Sequence, residues 1–180
     1  MKSSFGVITF GAFLFHKKGD IMYKKNIQRN LKTEEMFSNL AELRGFKVEP
    51  ATGVEQIDHV DFHLTSDEED GRMTAMVDVK GNKDCPEDWI WIEFKNVQGK
   101  DGWIYGIADF IAFEEKNFFL LCYRKELCDW CLEKVDLDVS SPTAEEAEYI
   151  GFSRKGKQDL ISKVLVEDIR SLQHAQVWKK

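Results

Sequence analysis

Apolar and polar residues alternate along three consecutive stretches in the middle of the chain. In IDHVDFHL (57–64), Val60, Phe62 and Leu64 fall on one side, and His59, Asp61 and His63 on the other. In TAMVDVKGNK (74–83), Val77 and Val79 oppose Met76, Asp78 and Lys80. In residues 89–97, Ile90, Ile92 and Phe94 oppose Trp91, Glu93 and Lys95. A period of two puts alternate side chains on opposite faces of a strand, so three strands are predicted. The acidic SDEEDG (66–71) reads as the hairpin turn between the first two. Short connections favour pairing of consecutive strands. One polar face would then gather Asp61, Asp78, Lys80 and Glu93.

Helical spacing flanks these strands. Apolar residues at 36, 37, 40, 41 and 43 follow Thr33, a predicted N-cap, with Glu34 and Glu35 in the first turn and Gly45 as the stop. Residues 46–50 read as a connector. Gly102 opens a stretch with apolar residues at 103, 104, 107, 108, 110 and 111, which predicts a helix covering the sheet. FFLLCY (118–123) reads as a buried strand and residues 125–135 as a helix. After the break at Ser140-Ser141-Pro142-Thr143, residues 149–153 suggest a further strand and 157–172 a last, basic-sided helix. The expected architecture is α/β (α+β): an αβββαβ core with a mixed central sheet and a C-terminal helical extension. It forms one domain, with a basic segment at 1–32, the core at 33–125 and the extension at 126–180.

Composition narrows the class. A chain of 180 residues, 43% hydrophobic and 32% charged, has a globular make-up and is long enough to bury one core. Its net charge of −7 is uneven: residues 1–32 carry seven Lys/Arg against one Asp, and residues 151–180 carry seven against three acids. The middle therefore holds −17, and basic ends around an acidic centre suit nucleic-acid contact by flanking arms. Four cysteines do not make a disulfide scaffold. Cys122, Cys128 and Cys131 in LCYRKELCDWC read as buried thiols in a reducing cytoplasm, zinc ligation being the alternative. The apolar run FGVITFGAFLF (5–15) is too short to span a bilayer and lacks a small-x-small cleavage site. It reads as a buried strand or as sequence ahead of a start at Met22. No membrane partner is expected.

Carboxylates that converge on a sheet repel one another unless a cation sits among them. One or two carboxylates, completed by water and phosphate, suit Mg2+, and Mn2+ can take the same oxygen donors. A lysine two residues after a metal-binding aspartate projects from the same strand face, where it orients the attacking water or steadies a pentacovalent phosphate. Asp78-Val79-Lys80 has this spacing, with Asp61 one strand earlier and Glu35 (or Glu34) on the preceding helix. These residues resemble the PD-(D/E)xK, or restriction-endonuclease-like, nuclease superfamily. VDVKGNK, WIEF and the GWIYG/ADFIAF segment are similar to phage and prophage endonuclease-like proteins within it, with Glu93, Gly102, Ala108 and Asp109 at corresponding positions. The resemblance covers residues 33–125. It implies a Mg2+-dependent deoxyribonuclease, most simply an endonuclease, with Asp61 and Asp78 as metal ligands, Lys80 placing the water, and Glu35 and Glu93 assisting. A homodimer would suit the cutting of two DNA strands.

Other readings stay open at this point. Glu93-Phe94-Lys95 is a second E-x-K, which would shift the catalytic register by one strand. His59 and His63 are either metal ligands or exposed strand histidines. Trp89, Trp91 and Trp103 either stack on bases or pack the sheet. Arg154, Lys155 and Lys157 are candidate phosphate contacts. The alternative function is a catalytically inactive nuclease fold that binds nucleic acid or a protein partner. No phosphate loop, nucleophile elbow or dinucleotide fingerprint is present.

Overall fold

The computed structural model describes residues 18–68, 71–81, 85, 86 and 88–180. The apolar run at 5–15, with its strand-or-late-start alternatives, lies outside the described residues.

The first helix, α1 (Lys18–Leu43), is longer than its predicted core. Neither glycine nor proline interrupts residues 20–44, so nothing in the backbone stops it before Gly45. Gly45 ends it with φ +89, a left-handed conformation that glycine adopts without a Cβ clash. Thr33 is therefore an interior residue and not a cap. Its hydroxyl lies 2.6 Å from Glu114 Oε2, to which it donates.

The main sheet has six strands, ordered β1-β2-β3-β5-β6-β10. β1 (Phe46–Pro50), expected as a connector, is its first edge. After the short helix α2 (Gly53–Ile57), β2 (Phe62–Glu68) and β3 (Gly71–Gly81) form the expected hairpin, register Phe62↔Val77. β4 (Trp89–Lys95) does not pair with β3 as expected. The free edge of β3 is taken in parallel by β5 (Phe110–Glu114), with Asp78 opposite Ile111. The helix predicted from Gly102 is thus a single 3-10 turn (Trp103–Tyr105) followed by a central strand. Ile111 and Phe113 pack into the core on one face of β5, and Ala112 into the core on the other. A strand buried on both faces reads as a continuous apolar run that periodicity does not separate from a helix.

β6 (Phe118–Tyr123) and α3 (Arg124–Lys134) fall where expected. The small pair β7 (Asp136–Ser140) and β8 (Ile150–Gly151) follows. The helix expected over 157–172 is corrected to a strand, β9 (Leu160–Leu165), and a short helix, α4 (Val166–Arg170). The cause is again burial on both sides, since the four central residues of β9 are all buried. β9 supplies the antiparallel partner of β4, and β10 (Gln176–Lys179) pairs with β6. The C-terminal third is therefore woven into the core and is not an appended helical extension.

Two apolar clusters hold these layers together. Phe37 and Ala41 of α1 meet Leu64, Val77, Val79, Phe119 and Trp178 on one face of the main sheet. Ile90, Ile92 and Phe94 of β4, with Trp103, Ile104, Leu127 and Val164, pack on the other face. Asp78 and Lys80 alternate with Val77 and Val79, so they point toward this second layer.

Candidate active site

His59 begins the site by breaking the predicted alternation. Its φ of +63 is left-handed, which is uncommon for a residue with a side chain. The resulting turn sends Val60 into the second-layer core, while Phe62 and Leu64 pack toward α1. Asp61 sits just after this turn. Its amide donates to Val77 O at 2.8 Å, and its Oδ2 accepts from Val79 N at 2.7 Å. Asp61 is thereby fixed against the middle of β3, beside Asp78.

Asp78 is 1% exposed. Its Oδ1 lies 2.7 Å from Lys80 Nζ, whereas Oδ2 receives no hydrogen bond among the described residues. The neighbouring Asp61 carboxyl interacts with Asp78 there, and a proton shared between the two would satisfy that oxygen. Burial, reinforced by the charge of Asp78, pushes the Asp61 carboxyl up to about 6 against the pull of the Val79 N–H. Burial also raises Asp78, and the Lys80 ammonium opposes it.

Lys80 is held by two contacts. Beyond Asp78, its Nζ lies 5.7 Å from the centroid of the Trp103 ring. Its charge also reaches Glu93, whose carboxyl is raised by burial and held back by Lys80, by the Trp103 amide and by Arg154. β4 thus brings Glu93 to Lys80 from the second layer and not from a neighbouring strand of the same sheet. Gly102 makes this approach feasible: a Cβ there would lie 2.2 Å from Glu93 O.

The remaining candidates separate. Glu35 is exposed, while Glu34 is half-buried and its charge reaches Asp78. Glu34 lies three residues before buried Phe37 on the same helix face. His63 is engaged by Glu55 at 3.1 Å, but His59 lies within the fields of Lys80 and Asp61. Burial and the Lys80 charge lower His59 below the ordinary histidine range. Lys95, of the second E-x-K, is exposed, so the lysine beside the carboxylates is Lys80.

Arg154, Lys155 and Lys157 stand on an exposed loop between β8 and β9, not at a helix start. Arg154 binds buried Asp159, and its charge reaches Glu93. Asp159 stands next to these cations in the sequence, but spacing predicts a helix over 157–172, which hides its burial at the start of β9. Trp103 is buried, and Trp89 and Trp91 flank Lys163 at 5.3 and 5.9 Å. Asp109 ties β5 to β3, its Oδ2 accepting from Met76 N at 2.8 Å. Cys122, Cys128 and Cys131 are free, buried thiols, and burial pushes half-buried Cys85 up to about 12. Among the described residues no three His, Cys, Asp or Glu side chains form a group able to hold a metal ion, and no helix is long and apolar enough to cross a membrane.

Comparison with known proteins finds no matching family model, no matching curated protein and no matching solved structure.

Proposed function

We propose that the chain is a Mg2+-dependent deoxyribonuclease acting as an endonuclease. The observation that carries this reading is the buried Asp78 carboxylate, with one oxygen on Lys80 and the other without a donor beside Asp61. Two hard carboxylates and an unsatisfied buried oxygen fit a small divalent cation. In this reading α1, β1, β2, β3 and β5 are the restriction-endonuclease-like core, with β4 and a 3-10 turn in place of the expected crossover helix.

Asp61 and Asp78 would hold Mg2+ (or Mn2+), which supplies Lewis acidity to water and to the phosphate. Lys80, on the same face as Asp78, donates a hydrogen bond to the attacking water or to a non-bridging phosphate oxygen. Asp78 and the Trp103 face keep its ammonium at that position, within the field of Glu93. The water oxygen bonds to phosphorus in line with the departing oxygen and gives its proton to solvent, while the bond from phosphorus to the departing oxygen breaks and that oxygen takes up a proton from solvent. Of the two helix-borne acids Glu34 and Glu35, Glu34 would serve the site, since its charge reaches Asp78 and Glu35 is exposed. Arg154, Lys155 and Lys157 would contact the DNA backbone. A homodimer would place two such sites on opposite strands, and a reducing cytoplasm suits the four free thiols.

The test is incubation of plasmid, linear and branched DNA with the protein and Mg2+ or Mn2+. Cleavage that EDTA abolishes supports the reading. DNA binding without cleavage under every metal condition replaces it with the non-catalytic binding module.

A further inference from the structure

We infer that the loops at residues 96–101 and 153–159 form one basic ridge that grips the phosphate backbone of a DNA strand beside the candidate active site. The inference rests on the nuclease reading and extends it to a surface outside the carboxylate cluster.

The two loops are far apart in sequence and packed together in space. Gly99 has φ +77, and a Cβ on it would lie 2.9 Å from Gln158 Oε1. Gln158 N donates to Val97 O at 3.4 Å across the same junction. Each loop is also internally tied. Asn96 Oδ1 accepts from the amides of Gln98 and Lys100 at 2.9 and 3.2 Å. Ser153 Oγ donates to Asp159 O at 2.6 Å, and Lys157 N to Arg154 O at 2.9 Å. Loops held in shape before binding lose less entropy when they bind.

The ridge carries exposed Lys95, Lys100, Arg154, Lys155 and Lys157. Its acids are Asp101, which faces Lys95 across the hairpin, and Asp159, which is buried and committed to Arg154. Five cations against two acids stand out in a chain whose net charge is −7. The ridge adjoins the site directly: Lys95 follows Glu93 by two residues on β4, and the Arg154 charge reaches the Glu93 carboxyl. Lys95 is therefore not a second catalytic lysine but the inner end of a phosphate track. Cations so placed neutralise backbone phosphates and release counterions, which makes binding steeply salt-dependent without reading sequence.

The experiment measures fluorescence anisotropy of a short labelled DNA duplex over a range of KCl concentrations. The full chain carries Asp78→Asn so that DNA is bound and not cut. Lys100→Ala and Lys155→Ala, one in each loop, are each expected to weaken binding several-fold. Each should also lower the steepness of log Kd against log[salt] by about 1, with an unchanged melting temperature. Two results overturn the ridge: a salt slope that neither substitution alters, or tighter binding to a matching RNA duplex than to DNA. Cleavage by the chain with Asp78 intact is scored alongside. Cutting with unaltered slopes removes the ridge and leaves the nuclease; neither binding nor cutting removes both.

Discussion

Asp61 and Asp78 share a buried site in which the Lys80 ammonium, bound to Asp78, is the one cation in contact with either carboxylate among the described residues. Asp61 titrates near 6 when folded, against 3.8 for an ordinary aspartate, so the folded state binds more protons between those values. The part of metal-free stability that Asp61 carries therefore falls as pH rises from about 4 to about 6 and is level above, a change of about 3 kcal/mol. Asp61→Asn is expected to raise the metal-free melting temperature at neutral pH by on the order of 5 °C. The gain should vanish below the unfolded-state value. Mg2+ should raise the melting temperature of the unaltered protein more at neutral pH than at pH 5, because cation and proton compete for the same oxygens. It should not raise that of Asp61→Asn. Differential scanning fluorimetry across pH, with and without Mg2+, checks both expectations.

Residue spacing alone placed Asp61, Asp78 and Lys80 in one neighbourhood, because D-x-K on a strand forces its two polar residues onto one face. It did not separate Glu34 from Glu35, since both lie in one turn of an amphipathic helix. The packing of Phe37 decides between them.

At the scale of elements, alternation succeeded where a strand has one polar side and failed where both sides are buried. β3 and β4 show their polar faces in the sequence. β5 and β9 show no polar face, and residue spacing predicts a helix over each. Glu93 reaches Lys80 through a different layer from the one that strand pairing suggested, and Gly102 is what permits it. A Cβ at Gly102 meets the Glu93 carbonyl, a backbone atom without rotamers to escape by. Gly102→Ala is expected to destabilise the fold by about 1–3 kcal/mol, read as a lower urea midpoint at unchanged m-value. Asp109 acts on the next junction. Asp109→Ala leaves the Met76 amide without its acceptor at the mouth of the β3–β5 pair, at a cost of about 1–3 kcal/mol by the same measurement.

Over the whole molecule, the six-stranded sheet curls around α1. Flat, its five inter-strand gaps would hold the edges about 24 Å apart. Yet Phe46 of edge strand β1 stacks on Trp178 of edge strand β10 at 5.6 Å, and Phe37 of α1 stacks on the same indole at 5.7 Å. Arg44 covers the indole from 5.0 Å. Trp178→Ala is expected to cost about 3–5 kcal/mol in chemical denaturation, as for other buried tryptophans. This closure was not legible in the sequence: VWK near the C-terminus carries too few residues to show a period, and only long-range packing gives Trp178 its role. The uneven charge was legible, but its basic C-terminal part divides in space. Arg154 extends its charge to Glu93 from the exposed loop it shares with Lys155 and Lys157, whereas Lys180 pairs with Glu114 at 3.0 Å.

The measurement that bears most directly on the account is single-turnover cleavage of a defined DNA duplex in Mg2+ by the unaltered chain, Asp78→Asn and Lys80→Ala, each first shown to melt cooperatively. The account predicts cleavage by the unaltered chain and a loss of at least about 100-fold in rate for both variants. Folded variants that cut at the unaltered rate would contradict it, because the buried carboxylate and its lysine would then have no part in the chemistry.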